Sequence, residues 1–379
     1  MTAVKTVLIA GGGVGGLTAA VALRRQGIEV ELLEKNPEHS VYGVGIIQPN
    51  NALRALDTIG LAAECVRRGG AFDSVRVFDR FGTLIGGGSS SADAAPHLPP
   101  VNGITRPILQ EILLTAAQNA GAMIRVGITI KEWSEKDGKV SVTSSDGATH
   151  QYDLLIGADG VSSQLRKDLF PDAPNPVFSG QSGWRYNLTR PSELECGELW
   201  YGEKSKVGLV PLSPTLMYIF ICTHEPGNPF MQVDGLAGKM RYRLAEYGGR
   251  VARLREQIVD DRAVVYKALD HLMLPAPWFR GRALLIGDAA HATTPHLAQG
   301  AAMAIEDAVL LGELLSRDAP VQDLLEEFMR RRFARCKLVV ETSAQLVDWE
   351  LATWQGPDNF NHQAGVASAM AQKELMKSY

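Results

Sequence analysis

The chain has 379 residues, 45% of them apolar and 21% charged, with a formal net charge of −4. That length exceeds one simple core and suits two domains, while the slight negative charge gives no reason to expect nucleic acid or an acidic membrane surface as a partner. Four scattered cysteines, Cys65, Cys196, Cys222 and Cys336, make no CxxC pair, which argues against a metal centre or a disulfide framework and suits a reducing cytoplasm.

No apolar run reaches the roughly eighteen residues of a membrane span, and Met1 to Lys5 lead straight into the first predicted strand, so no signal peptide is expected. That strand is the apolar run Thr6 to Ala10. Gly11-Gly12-Gly13-Val14-Gly15-Gly16 follows, then a helical pattern from Leu17 to Gln26, then a second apolar run, Ile28 to Leu33, closing on Glu34 and Lys35. Strand, glycine turn, helix, strand and acid can together hold a dinucleotide. Gly11 permits the sharp turn, Gly13 removes a side chain where backbone meets a pyrophosphate, and Gly16 lets helix and strand pack closely. The N–H groups around Val14 and Gly15 and the helix dipole then face the phosphates. Glu34, eighteen residues past Gly16, suits ribose hydroxyls. Alone, this turn allows NAD, NADP or FAD.

Gly43 to Asn51 reads as a glycine-bearing loop, containing Gly45, that enters a helix over Ala52 to Leu61. Gly86 to Pro100 is small, polar and proline-rich, and reads as a mobile loop. Ile108 to Ala120 has helical periodicity, with Leu109, Ile112, Leu113 and Ala116 on one face. Gly127 to Trp133 and Lys139 to Thr143 read as strands joined at Asp137-Gly138. Tyr152 to Ala158 is another apolar strand, ending at Asp159-Gly160. Residues 176 to about 225 alternate like antiparallel strands, and Lys206 to Leu212 and Leu216 to Thr223 flank Ser213-Pro214-Thr215 as a hairpin. Ala283 to Ile286 is a fully buried strand ending at Gly287-Asp288. Gly300 opens a helix to about Leu315, and the chain is helical again from Val321. There is no internal repeat, and cofactor-type segments at both ends predict interleaved domains.

Three motifs now stand in order: Gly11 to Gly16 with Glu34; Gly157-Ala158-Asp159-Gly160; and Gly287-Asp288-Ala289-Ala290-His291 with Pro295 and Gln299-Gly300. The set resembles the class A FAD-dependent aromatic monooxygenases, single-component hydroxylases of salicylate, hydroxybenzoates, urate and hydroxynicotinate, to about residue 345. The resemblance implies an α/β fold in which a Rossmann-like FAD-binding domain (1–75, 101–175, 267–325) is interleaved with a β-sheet substrate domain (76–100, 176–266) and followed by C-terminal helices (326–379). It implies FAD as cofactor, NAD(P)H as co-substrate, and O₂ and a small aromatic compound as partners; the chain itself is expected to be a cytoplasmic monomer or homodimer. In the family the glycine turn and Glu34 grip the ADP half. The Asp159 motif is associated with FAD and NAD(P)H, Asp288 with the ribitol, Arg106 with the ribitol and pyrophosphate, and the backbone near Ile130 with adenine. The loop from Pro295 passes the flavin ring, and the N–H groups of Gly300 and Ala301 meet the N1–C2=O edge, where reduced flavin is anionic. Plainer readings stand beside these: Asp159 and Asp288 as helix caps, Arg106 as a surface arginine. One departure is visible. Asn50 stands where the family's loop usually has proline, with Pro49 one place earlier and Asn51 in its usual position, which bears on the local backbone path.

The family mechanism reduces FAD with NAD(P)H, adds O₂ at C4a and transfers oxygen from the hydroperoxide to an electron-rich ring; the protein positions, excludes water and supplies fields. No second glycine fingerprint is present, in keeping with transient nicotinamide binding. A phenol-like substrate reacts faster as its anion, so a base or cation beside the ring oxygen helps. The catalytic candidates are Lys206 and Tyr218, on the two hairpin arms with parities that share a face, and His296, the candidate general base, which follows Pro295. Lys206 also reads as a solvated strand residue, Tyr218 as a core aromatic, and His296 as packing. Trp184, Arg185 and Tyr186 are further lining candidates, with a structural Trp184 the safer reading, and His291 reads as a buttress of the Asp288 turn. The alternative is a FAD-dependent reductase or dehydrogenase of the same fold that does not use O₂; a halogenase lacks support, since its Trp-x-Trp-x-Ile-Pro signature is absent. Trp349, Trp354 and Phe360 suit either a cover on the core or a dimer contact.

Overall fold

The computed structural model describes residues 4–38, 43–355 and 362–379; Phe360 lies outside them. Runs of Val, Leu and Ile bounded by glycine turns give a six-stranded sheet in the order Phe279–Arg280, Ala283–Leu285, Leu154–Gly157, Thr6–Ala10, Glu29–Glu34, Met123–Val126. All neighbours are parallel except the first pair. Val7, Leu8, Ile9, Leu154, Leu155, Ile156 and Ala283 to Leu285 are all but inaccessible, as strands covered on both faces must be. Two helices, Val14–Arg25 and Gly300–Leu315, run side by side over this core. An ideal Cβ on Gly15 would sit 3.3 Å from the Cβ of Ala304, and one on Gly312 would sit 2.9 Å from that of Ala22. The contacts pair early residues with early and late with late, so the helices point the same way.

The second large sheet has seven strands, ordered Val265–His271, Val177–Thr189, Leu216–His224, Ser205–Pro211, Gly197–Tyr201, Ser74–Asp79, Leu84–Ser89. The predicted hairpin is present, with Lys206 opposite Cys222 and Val210 opposite Tyr218. Strand alternation gives the sheet two unlike faces. Trp184, Tyr186, Val207, Leu209, Met217, Ile219 and Ile221 pack against Leu236, Met240, Val251 and Leu254 of two covering helices. Trp184 is fully buried there, donates its indole N–H to Thr223 Oγ1 at 3.1 Å, and lies 4.2 Å beneath the Arg243 guanidinium; it is a structural residue. The opposite face carries Arg185, Lys206, Tyr218 and Phe220. A three-stranded sheet, Gly45–Pro49 with Val101–Thr105 and Gly70–Phe72, links this face to the first sheet. A Cβ on Gly45 would meet the Tyr218 ring at 2.4 Å.

Three expectations need correcting. Gly43 to Asn51 is not one loop: Gly45–Pro49 is a strand paired with Val101–Thr105, and Asn50 opens the helix Asn50–Thr58. Gly86 to Ser89 is not loop but part of the exposed edge strand Leu84–Ser89, where Arg76 faces Gly87 and sheet pairing overrides glycine's weak strand preference. The strand expected from Gly127 begins at Ile130, because Gly127 takes a positive φ of 70° and donates its N–H to Asn36 O. The C-terminal region is the 35-residue helix Val321–Gln355 followed by His362–Leu375. Trp349 packs on a small cluster that includes Leu297 and Leu346, and Trp354 is buried. Among the described residues no helix is long and apolar enough to cross a membrane, and all four cysteines are buried free thiols.

Candidate cofactor and active site

The glycines of the first turn divide by what surrounds them. Gly11 has φ 109°, and a Cβ there would lie 2.3 Å from Ala158 O; one on Gly16 would lie 1.9 Å from Gly11 O. Those two are glycine because the protein's own backbone leaves no room. A Cβ on Gly13 would meet nothing within 4 Å, so its bare backbone opens onto accessible space. Gly13 caps the first helix with no side-chain hydrogen bond, and the first intrahelical bond is Leu17 N–H to Gly13 O. The N–H groups of Val14, Gly15 and Gly16 are therefore open. Glu34 closes the turn: Gly12 N–H donates to Oε2 at 2.7 Å and Asn36 N–H to Oε1 at 2.8 Å. Lys35 is exposed beside it, and Ile128 N–H donates to Glu34 O, so the segment leading to Ile130 runs along the same rim.

The helix Gly300–Leu315 also begins without a side-chain cap, at Gln299, after the short turn Pro295–Leu297 and a left-handed Ala298 with φ 56°. Met303 N–H is bonded to Gln299 O, which leaves the N–H groups of Gly300 and Ala301 open. Asn51, in the first turn of the helix Asn50–Thr58, ties that helix to the flavin loop and to the helix that follows it, donating to Gln299 Oε1 at 3.0 Å and Glu306 Oε1 at 2.9 Å. The departure at residue 50 has a local purpose. Asn50 donates to Ala95 O and Pro99 O and accepts from Ala95 N–H, bonds a proline could not make.

Between the two helix ends lie Asp159, Arg106 and Asp288. Asp159 Oδ2 accepts from the N–H groups of Gln164 and Leu165, so the capping role is real, but Oδ1 is buried with no partner. The side chains of Arg106 and Asp288 are accessible yet ringed by protein, lining a deep recess. Desolvation raises the Asp288 pKa; desolvation, then repulsion from Arg185, lowers that of Arg106. Among the described residues the Arg106 guanidinium has no hydrogen-bond or ion-pair partner. Two uncapped helix N-termini pointing one way, an orphaned acceptor and an unpaired cation between them fit an extended ligand. It would carry a pyrophosphate at one helix end, a polyol beyond it and, at the other helix end, a ring that becomes anionic on reduction, as FAD does.

The sheet face across the recess holds the other candidates. Tyr218 is buried and its pKa is pushed up to about 12 by burial, with Arg185 and Arg106 opposing. Lys206 is on the same face, but its partner across the ladder is Cys222, four residues along the strand from Tyr218. The two candidates therefore stand apart. Lys206 forms an ion pair with Glu350, a residue of the long C-terminal helix. The other Glu350 oxygen, Oε2, lies 3.1 Å from His296 Nε2 and accepts from Gln181 Nε2 at 3.2 Å. His296 Nδ1 lies 3.0 Å from Thr294 Oγ1. The Glu350 carboxylate, which can only accept, sets Nε2 as a protonated nitrogen, while Nδ1 faces a Thr294 hydroxyl that donates to Ser343 O at 3.2 Å. The imidazole is only 1% exposed, and burial followed by the Lys206 charge lowers its pKa. Burial works against charge on Lys206 and Glu350 as well, yet each holds the other ionised. Sequence reasoning missed Glu350, which reads as one polar position on an amphipathic helix.

A second cluster lies beneath the flavin-edge helix. Arg332 donates to Asp307 Oδ1 and Glu306 Oε2, both at 2.7 Å, and Arg335 donates to both Glu306 oxygens. His291 Nε2 is 2.7 Å from Asp307 Oδ2, which also accepts Gly287 N–H. His291 thus buttresses the Asp288 turn. His291, Asp307 and Cys336 lie within 4.8 Å of one another, but both Asp307 oxygens already serve these donors.

A family described as "FAD binding domain" matches residues 5–343. The chain is 33% identical over 364 residues to 2-heptyl-3-hydroxy-4(1H)-quinolone synthase of Pseudomonas aeruginosa, covering 93% of this chain and 91% of that one. It is 32% identical over 352 residues to 3-hydroxybenzoate 6-hydroxylase of Polaromonas naphthalenivorans, covering 90% and 86%. HpxO of Klebsiella pneumoniae, solved with FAD and uric acid, shares the fold at a TM-score of 0.83 and 24% identity over 100% of this chain and 94% of that one. The helix ends, the Asp159 and Asp288 strand termini and these likenesses agree: the chain belongs to the FAD-dependent monooxygenases of the class A aromatic hydroxylase family.

Proposed function

We propose that this flavoprotein uses NAD(P)H and O₂ to hydroxylate a small aromatic or N-heteroaromatic compound that carries an ionisable ring oxygen. The observation that carries the reading is the recess itself. It lies between the cofactor helices, with the unpaired Arg106 at the start of the helix Arg106–Asn119, and a sheet face bearing Arg185 and the Glu350-paired Lys206, cations suited to a ring that reacts as its anion. The relatives' names, which speak of a hydroxyquinolone, a hydroxybenzoate and urate, support the same class. Bound FAD would supply electron transfer from the nicotinamide and the activation of O₂. The chain's own residues do the rest. Gly11 to Gly16 and Glu34 would hold the pyrophosphate and ribose, with Ile130 and Lys35 along that rim and Gly45 beside the ring. Asp159, Arg106 and Asp288 would hold the middle, and Gly300 and Ala301, after Pro295, would stabilise negative charge at the ring edge.

Lys206, Tyr218 and His296 would orient the substrate. Tyr218, neutral at ordinary pH, donates a hydrogen bond; Lys206 favours the substrate anion. His296 is the candidate base from the sequence, but its Nε2 already donates to Glu350 and its Nδ1 faces Thr294, so the role proposed for it is to hold Glu350 and through it Lys206. A cytoplasmic monomer or homodimer suits the free buried thiols. The test is NAD(P)H oxidation with hydroxybenzoates, quinolones and urate, with and without O₂, with ¹⁸O₂ label followed into product. Substrate-stimulated oxidation that delivers one labelled oxygen is expected. Turnover that continues anaerobically would establish the reductase or dehydrogenase alternative instead.

A further inference from the structure

We propose that Glu350, brought in by the C-terminal helix Val321–Gln355, is the counter-ion and positioning residue for Lys206 in the substrate pocket, with His296 as its tether. The proposal rests on the hydroxylase reading in one respect, that Lys206 faces the substrate.

Lys206 is 8% exposed, and a buried ammonium is costly unless it is paired. Among the described residues, the two strands beside it set no carboxylate against it. The titratable groups facing Lys206 from neighbouring strands are Tyr201, directly across from it on Gly197–Tyr201, and Cys222, across from it on Leu216–His224. Burial pushes both of their pKa values up, so both are neutral at ordinary pH. The flavin loop contributes His296, whose lowered pKa leaves it neutral too. Among the groups facing Lys206, the carboxylate of Glu350 is the anion, and it comes from outside the substrate sheet. Its second oxygen gathers His296 from the flavin loop and Gln181 from the central strand. One carboxylate therefore fixes the ammonium relative to both the sheet and the loop that passes the flavin.

The experiment compares the FAD-loaded wild type with Glu350→Gln and with a Lys206→Met background. The readout independent of turnover is an NMR titration of the Lys206 Cε and Nζ signals, assigned by their loss in Lys206→Met. In the wild type Lys206 stays charged past about pH 9. In Glu350→Gln the ammonium, left buried and unpaired, loses its proton below about pH 9. Activity follows: kcat/KM for the aromatic substrate falls on the order of tenfold or more as pH rises through that lowered value, an alkaline limb absent from the wild type. In the Lys206→Met background, Glu350→Gln has no further effect on kcat/KM. A Lys206 that stays charged in Glu350→Gln overturns the proposal. So does a loss on Glu350→Gln as large without Lys206 as with it, and this arm stands even if the single Gln variant fails to fold, since the double variant buries no lone charge. If the wild type hydroxylates no aromatic compound, the hydroxylase reading fails while the NMR titration still decides the pairing.

Discussion

The helix Val321–Gln355 enters two buried charge clusters, and they are built on opposite plans. Its first half sends Arg332 and Arg335 under the flavin-edge helix, where Glu306 and Asp307 have every oxygen engaged by arginine, histidine, asparagine or backbone. Its second half sends a single carboxylate, Glu350, to Lys206, His296 and Gln181 beside the recess. The first cluster is saturated and lies beneath the helix, so its charges act through the fold, holding the Asp288 turn and Asn51 in place. The second borders the substrate face, and one of its members is poised to respond to what binds. Burial alone does not separate structural from functional charge; what separates them is whether a partner remains to be supplied.

The largest effect should come from the saturated cluster. Arg332→Met leaves Glu306 and Asp307 short of a shared cation and should cost about 3–5 kcal/mol, read from urea unfolding of the FAD-loaded protein. A small loss would show that the cluster is not the anchor described here. Lys206→Met should do the reverse. We expect kcat/KM for the aromatic substrate to fall about a hundredfold, with a much smaller shift in the urea midpoint because His296 can take up a proton beside Glu350. Equal stability losses in the two variants would erase the contrast.

Acid separates the clusters further. Burial opposes ionisation of Asp307, but His291 and Arg332 outweigh it and hold the carboxyl at about 2. A depressed carboxylate stabilises the fold above its unfolded pKa, so about 2–3 kcal/mol should disappear as pH falls from about 4 to 2. His296 is also depressed, so its contribution is present above its unfolded pKa and is lost as pH falls below about 6.5. Urea unfolding at a series of pH values should show the two windows, and His296→Gln should remove the upper one only. The smallest effect is expected at the exposed Glu64–Arg67 pair, where Arg67→Ala should leave the unfolding curve unchanged.

The parts legible in the sequence were those encoded locally. A glycine turn between strand and helix, or an Asp after a buried strand, announces itself within a few residues, and the cofactor half of the site followed from them. The hairpin register also followed from parity, and it put Lys206 and Tyr218 on one face as expected. Their distance along that face was not readable, because parity fixes the side of a sheet and not the spacing of functions on it. Glu350 was beyond reach for a different reason: its partner Lys206 lies 144 residues away in the chain, and nothing in the helix pattern marks one glutamate among many. Arg185 was named only as a possible liner; strand alternation directs it to the recess and Trp184 to the helices.

The contact between Gly15 and Ala304 has a consequence for how this protein can diverge. The two helix ends that would receive the opposite halves of the dinucleotide approach so closely there that a Cβ added at Gly15 would lie 3.3 Å from that of Ala304, tighter than ordinary contact. Positions 15 and 304 are accordingly a calliper with a fixed gap. Descendants of this chain are free to rewrite the substrate sheet, but a larger residue at either jaw would spread the gauge against which the cofactor is measured.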